Sequence, residues 1–262
     1  MPDPVIILGL GFTTQRLARR LRARGISVHA AVRQPERFAE FESIGVRLLA
    51  PEALPLNAVL IHSIPPLAEP DNSAIHALIS ALRPRRILYI SSTGVYGAQT
   101  EVDETTPASP NDEKGRARLA EEKWLADPAE HRSSLMLRSA AIYGPGRGVH
   151  VRLREGKLPR GAGGVVSRIH VDDLASILEA GIESQLEGSW PVADHHPAAS
   201  EEVVAWCASH MGLVVPDGSA QHLPVMGRRV KGRKIGELLG VRLKYPSYQS
   251  GIPAGIQEEN KS

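Results

Sequence analysis

Short apolar runs alternate along this chain with stretches whose apolar residues recur at three- and four-residue spacing. That alternation predicts strands and helices in regular succession. Val5-Ile-Ile-Leu is the first run; it enters Gly9-Leu-Gly11 and leaves into Thr13 to Arg24, where Leu17, Ala18 and Leu21 keep helical spacing among Arg16, Arg19, Arg20 and Arg22. Gly25 then stands at the usual helix end. Ile26 to Val32 predicts a second strand, and Arg33-Gln-Pro-Glu-Arg-Phe opens the next helix with Pro35 near its first turn. Val46-Arg-Leu-Leu gives a short third strand and Ala58-Val-Leu-Ile-His a fourth. A helix over 72–82, with Asp71 as its cap, carries the stripe Ile75, Leu78, Ile79 and Leu82. Arg86 to Ile90, Ser134 to Ser139 and Trp190-Pro-Val-Ala predict three more strands, and Ser200 caps a last amphipathic helix. Continuous apolar strands suit a parallel sheet covered on both faces. The expected fold class is therefore α/β, a doubly wound parallel sheet with its ligand site along the carboxyl ends of the strands.

Composition narrows the function classes. The 262 residues suffice for one large domain with a small subdomain, and the single cysteine, Cys207, permits no intramolecular bridge. No Cys/His spacing resembles a zinc site, so no metal is expected. A net charge of +2 with acids and bases nearly balanced argues against a nucleic-acid partner and for a small-molecule one. Met1-Pro-Asp-Pro has no basic leader character, and no apolar run reaches membrane-span length. These features predict a cytoplasmic, unexported protein with no membrane partner.

The candidate chemistry begins at the first turn. Gly9 and Gly11 fit the first two glycines of G-x-G-x-x-G, one for a tight bend and one for backbone approach to a pyrophosphate at a helix N-terminus. Thr14 replaces the third glycine, and its hydroxyl is available to backbone or phosphate. At the end of the second strand an acidic residue would bind the ribose 2′-hydroxyl of NAD, whereas an arginine suits the 2′-phosphate of NADP. Arg33 stands there, with no carboxylate before Glu36, so NADP is expected over NAD; the plain alternative is a solvated charge. His62 reads as a polar strand end, and Ser63-Ile64 as the loop beside a cofactor.

Four segments in order, the glycine turn, Ser91-Ser-Thr-Gly-Val-Tyr-Gly, Leu137-Arg-Ser-Ala-Ala-Ile-Tyr-Gly-Pro-Gly-Arg and Arg168-Ile-His-Val-Asp-Asp-Leu-Ala, resemble the extended short-chain dehydrogenase/reductases. Gly227-Arg-Arg-Val-Lys-Gly-Arg-Lys-Ile-Gly-Glu-Leu-Leu-Gly and Tyr245-Pro-Ser-Tyr are similar to the atypical, epimerase/dehydratase-like members. The resemblance implies a Rossmann-type domain over 1–256, with substrate-side elements mainly in 144–170 and 194–256. Residues 257–262 read as a mobile tail. In that family a Ser, a Tyr and a Lys act together, the last two on a Y-x-x-x-K helix. Ser92 matches the serine. The helix falls at Glu113 to Leu125, with Ala117, Ala120 and Trp124 as its apolar stripe, but Lys114 stands in the tyrosine position and Arg118 in that of the lysine. Four residues apart, they share a helix face. Arg118 cannot act as an acid or base. Lys114 remains a candidate proton donor, as do Tyr96 and Tyr143; otherwise the two cations are solvated, or pair with Glu121, Glu122 or a phosphate. On the cofactor side the resemblance implies Gly9, Gly11, Phe12 and Thr13 at the pyrophosphate, Arg33 at the 2′-phosphate, and Ser63, Ile64 and Ser91 along the cofactor.

Thr93-Gly94 stands where the dehydratase branch carries Asp-Glu, which argues against sugar-nucleotide dehydration by that route. Arg147, Arg152, Arg154, Lys157 and Arg160 form a basic cluster suited to a phosphate or carboxylate, or to solvent. His170 with Asp172 and Asp173 reads as a capped helix start, and His195-His196 lacks further ligands. The expected function is NAD(P)-dependent oxidoreduction or epimerisation of a small polar or phosphorylated molecule, by a chain that pairs as a homodimer as relatives often do. The alternative is a non-catalytic NADP(H)-binding sensor or scaffold.

Overall fold

A computed structural model describes residues 3–66, 72–127, 133–157, 164–215 and 227–261. The chain opens with β1 (Val5–Leu8), α1 (Phe12–Ala23), β2 (Val28–Ala31), α2 (Ala39–Ser43), β3 (Arg47–Leu48) and β4 (Val59–His62). It continues through α3 (Ser73–Leu82), β5 (Arg86–Ser92), β6 (Glu101–Val102), α4 (Glu113–Leu125), β7 (Ser133–Ser139), β8 (Ala141–Tyr143) and α5 (Val149–Arg154). It closes with β9 (Val165–Val166), β10 (Arg168–His170), α6 (Val171–Glu183), β11 (Gly188–Val192), β12 (Ala198–Ala199), α7 (Ser200–Met211), β13 (Arg229–Val230), α8 (Lys234–Leu238) and α9 (Tyr248–Glu259).

Seven strands form one parallel sheet in the order β11-β7-β5-β4-β1-β2-β3. The order reverses direction between β1 and β4, the topological switch point at which such sheets leave a crevice at their carboxyl edge. Alternate residues of each strand feed opposite faces. Val5, Ile7, Val59, Ile61, Leu88 and Leu135 pack with Leu17 and Leu21 of α1 and Leu174 and Leu178 of α6. Ile6, Leu8, Leu60, Ile87 and Met136 pack with Ile79 and Leu82 of α3 and Leu125 of α4. Full burial of each such aliphatic side chain contributes about 1.5–3 kcal/mol. The continuous apolar runs thus reflect a sheet covered on both sides. Among the described residues, no helix is long and apolar enough to cross a membrane.

Several local expectations need correction. The helix expected after Arg33 is a 3-10 turn over Pro35–Phe38 followed by the short α2. Ala199, not Ser200, holds the N-cap position of α7, so the serine is the first helical residue. The expected stripe of α4 holds in part: Trp124 packs on the core, but Ala120 is exposed, and Gly115, Glu121, Glu122 and Leu125 are the buried residues. Residues 257–259 of the expected mobile tail form the last turn of α9, where Glu259 accepts hydrogen bonds from Gly146 N at 2.6 Å and His150 Nε2 at 3.1 Å. Asp71 and Arg160 lie outside the described residues.

Candidate active site

The turn after β1 is built by three side chains. Gly9 takes φ +87°, a left-handed conformation that favours glycine, and a Cβ there would come within 3.0 Å of Ser63 Oγ and Ile64 Cγ1. Ser63 Oγ donates to Gly9 O at 2.6 Å. Thr14, fully buried, accepts from Gly11 N at 2.8 Å and donates to Gly9 O at 2.7 Å. The residue in place of the third glycine therefore closes the turn with its hydroxyl. The next N–H groups of α1, at Phe12 and Thr13, belong to the first turn and lack intrahelical acceptors. Phe12 and Thr13 line a cleft of about 490 Å³ together with Gly11, Ser63, Ser92, Thr93, Arg118, Ser139 and Arg147.

Opposite that turn, β5 ends in Ser92, whose Oγ accepts from Gly94 N at 3.1 Å and keeps its own proton free to donate. Helix α4 docks here because residue 115 is glycine: a Cβ would lie 2.8 Å from Gly94 O. That contact sets Arg118, one turn on, against β5. Its Nη1 donates to Ile90 O at 2.8 Å and to Tyr89 Oη at 3.1 Å, and its side chain faces the cleft.

Below Arg118, two carboxylates of α4 are buried. Glu122 accepts from Arg138 Nη2 at 2.8 Å, from Ser91 Oγ at 2.5 Å and from Ser189 Oγ at 3.2 Å. Glu121 bridges His62 Nε2 at 3.2 Å and His76 Nε2 at 2.8 Å. Burial opposes its charge, but the hydrogen bonds from both imidazoles outweigh that and hold the carboxyl below its ordinary range. His62, the polar end of β4 as expected, is buried against Glu121 and stacked on Tyr89.

The geometry sorts the sequence candidates. Gly9, Gly11, Phe12, Thr13 and Ser63 meet at one turn, facing Ser92 and Arg118 across the cleft. Ile64 lies behind Gly9, outside the lining, and packs on the core. Ser91 also lines the cleft, with its hydroxyl donating to Glu122 at 2.5 Å. Tyr96 is fully buried with Arg138 and Arg228 over its ring at 5.0 and 6.0 Å, and burial pushes its phenol pKa up; it is not a proton donor to the cleft. Tyr143 donates to Ser247 O at 3.1 Å and its pKa is likewise raised by burial. Lys114 is exposed and outside the cleft lining, which removes it as the proton donor. Arg33 is exposed beyond β2, without a partner among the described residues.

The basic cluster does not converge. Arg154 pairs with Glu259 and Lys157 with Glu155, whereas Arg147 alone of the described members lines the cleft, its guanidinium 5.3 Å from the Phe12 ring centroid. Ser139 and Thr93 also line it; the sequence assigned Ser139 no role and used Thr93 only against a dehydratase mechanism, although each lies inside a family-like segment. His170 Nδ1 accepts from Asp172 N at 3.2 Å, so the histidine itself caps α6. Asp173 accepts from Lys244 N and Tyr245 N at 2.7 and 2.9 Å, fastening the Tyr245-Pro-Ser-Tyr segment.

Comparison with known proteins agrees with this architecture. Residues 72–185 match the model of the NAD dependent epimerase/dehydratase family. A conserved protein of unknown function from Silicibacter pomeroyi is 31% identical over 98% of this chain and 99% of its own, with a TM-score of 0.83. The UDP-glucose 4-epimerase of Thermus thermophilus, solved with NAD, is 18% identical over 99% of both chains, with a TM-score of 0.78, and shares the fold. A Streptomyces 3-diazoavenalumate denitrifying reductase is 35% identical over 92 residues, a stretch covering 32% of this chain and 30% of that protein. By fold, motifs and family match, the chain belongs to the NAD-dependent epimerase/dehydratase family of extended short-chain dehydrogenase/reductases.

Proposed function

We propose that the chain is an NADP(H)-dependent oxidoreductase acting on a small polar molecule. The observation that carries this reading is the cleft itself, which brings the Gly9–Thr14 turn together with Ser92 and Arg118. The residues fit a dinucleotide: a helix N-terminus with orphan N–H groups faces the cleft, and the turn keeps a position where a Cβ would collide. Gly11, Phe12 and Thr13 would hold the pyrophosphate with Arg147 above them, Ser63 would border the middle of the cofactor, and Arg33 would meet the 2′-phosphate. The cofactor supplies hydride. Ser92 orients the substrate oxygen, and Arg118 fixes the neighbouring groups without giving up its proton. The reductase name of the Streptomyces relative favours reduction over epimerisation.

The exposed Lys114 and the buried Tyr96 favour a second reading, a non-catalytic NADP(H) sensor. An open cavity of about 490 Å³ beside Ser92 supports turnover instead. Calorimetric titration of cofactor-stripped protein with NADPH, NADH and their oxidised forms tests the common core of both. NADPH should bind tighter than NADH, and Arg33→Ala should bring the two affinities together. No binding of any form sinks the proposal.

A further inference from the structure

Arg118 is fastened at one end only. Nη1 is committed to Ile90 O and Tyr89 Oη, while Nε and Nη2 have no partner among the described residues. The guanidinium centre lies 5.7 Å from the Tyr89 ring centroid, so the plane is supported from behind. Ile90, whose carbonyl anchors it, precedes Ser92 by two positions on β5. In a strand those residues point to the same side and stand about 7 Å apart. The guanidinium and Ser92 thus line the same gap of the cleft.

The charge in that gap has one sign. Arg118 and Arg147 are the ionised side chains of the lining, and no Asp or Glu contributes to it among the described residues. Nε and Nη2, side by side on a rigid plane, present N–H groups that match coplanar oxygens better than a tetrahedral anion. We propose that Arg118 and Ser92 hold a small 2-oxo acid, a ketone beside a carboxylate, and that Arg118 stabilises the oxyanion formed when the ketone is reduced. The assignment rests on the reading of the cleft as a hydride-transfer site.

Addition of hydride to the ketone carbon moves the C=O π pair onto oxygen, while the nicotinamide is oxidised by two electrons. The resulting alkoxide is held by Arg118 and Ser92 and takes its proton from water in the open cleft, leaving hydroxide to the buffer. No side chain changes protonation state. A fixed cation aimed at the developing charge replaces the acid that the tyrosine supplies in other members of the family.

Oxalate, which offers the adjacent oxygens of a 2-oxo acid and the second negative charge of the alkoxide, is the probe. Titrated calorimetrically into NADP+-saturated protein, it should bind at least tenfold tighter than to cofactor-free protein, and an equal concentration of orthophosphate should not displace it. Arg118→Gln should weaken oxalate at least tenfold while NADP+ affinity stays within twofold, with Arg118→Lys in between; Ser92→Ala, a smaller change to the fold, should weaken oxalate severalfold. Affinity should stay flat from pH 6 to 9, because no Asp, Glu or His contributes to the cleft lining among the described residues. Three results overturn the assignment: NADP+ binding with no oxalate binding, affinity falling across that pH range, or Arg118→Gln weakening NADP+ and sparing oxalate, which would make Arg118 a cofactor ligand. Failure of NADP+ itself to bind overturns the hydride-transfer reading along with it.

Discussion

Glu122 and Arg138 form an ion pair inside the molecule, with Oε2 to Nη2 at 2.8 Å and side chains only 3% and 11% exposed. The pair joins α4 to β7, and the same carboxylate holds Ser91 of β5 and Ser189 of β11. A buried pair is weak evidence of net stability, because desolvation offsets its attraction, but removal of one partner leaves an uncompensated charge. Glu122→Ala should therefore lower the unfolding free energy by about 3–5 kcal/mol. Urea denaturation reads this directly. A loss under about 1 kcal/mol would mean that water reaches the site and the pair is not a keystone.

Thr14 gives a second prediction. Its hydroxyl satisfies Gly11 N and Gly9 O at once. Thr14→Val keeps the shape and removes both bonds, so stability should fall by about 1–3 kcal/mol, the cost of stranding a buried donor. NADPH affinity should fall with it, since the same turn orients the Phe12 and Thr13 N–H groups. Equal affinities for the two proteins would show that Gly9 and Ser63 alone hold the turn.

What sequence conveyed here depended on distance along the chain. The β1 run, the glycine turn and the α1 stripe are local, and each was legible because its determinants lie within a few residues. Glu121 and Glu122 entered only as possible partners of Lys114 and Arg118, because their actual partners are remote: His62 is 59 residues from Glu121, and Ser91 and Ser189 are 31 and 67 from Glu122. The polar tail read as mobile for the same reason, since Gly146 and His150 anchor Glu259 across 113 and 109 residues. At the site, the family pattern singled out Ser92 and Arg118, which line one cleft. It could not reveal that Lys114 faces solvent or that Tyr96 is sealed between two arginines.

Two buried groups near α6 predict an unusual pH dependence. His170, packed at 5.2 Å from the Tyr143 ring and 4.0 Å from that of Tyr245, is pushed down to about 3, mainly by burial. Its neutral form is the folded one, so its contribution is complete above pH 6.5 and is lost as pH falls towards 3. Asp194 is pushed up to about 7, again mainly by burial, with the His196 N–H bond opposing. Its contribution is complete below the ordinary carboxyl range near 3.8 and is lost as pH rises through 7. Between about pH 4 and 6.5 the two slopes oppose each other. Asp194→Asn should keep the bond to His196 N, remove one slope and leave stability rising with pH in that window. At pH 8 the variant should exceed the parent by more than about 1 kcal/mol. Chemical denaturation at pH 5 and 8 compares them; a parent that is the more stable at pH 8 contradicts the assignment for Asp194.

Arg147 and Arg33 should separate by cofactor. Arg147 stands over Phe12 at the N-terminus of α1, on a loop closed by Gly144 N to Arg147 O at 2.9 Å and Arg147 N to Gly144 O at 3.0 Å, and tied to α9 through Glu259. A pyrophosphate is common to NADH and NADPH, whereas in the proposed arrangement Arg33 would meet the 2′-phosphate, which NADPH alone carries. Arg147→Gln should therefore weaken both cofactors by roughly tenfold, the scale of one charge-assisted hydrogen bond, and Arg33→Ala should weaken NADPH alone. Glu259→Gln should reproduce part of the Arg147 effect by loosening the loop, with faster hydrogen exchange at the Gly146 amide as its signature. If Arg147→Gln leaves NADH affinity unchanged, the arginine does not reach the pyrophosphate and faces the substrate side of the cleft.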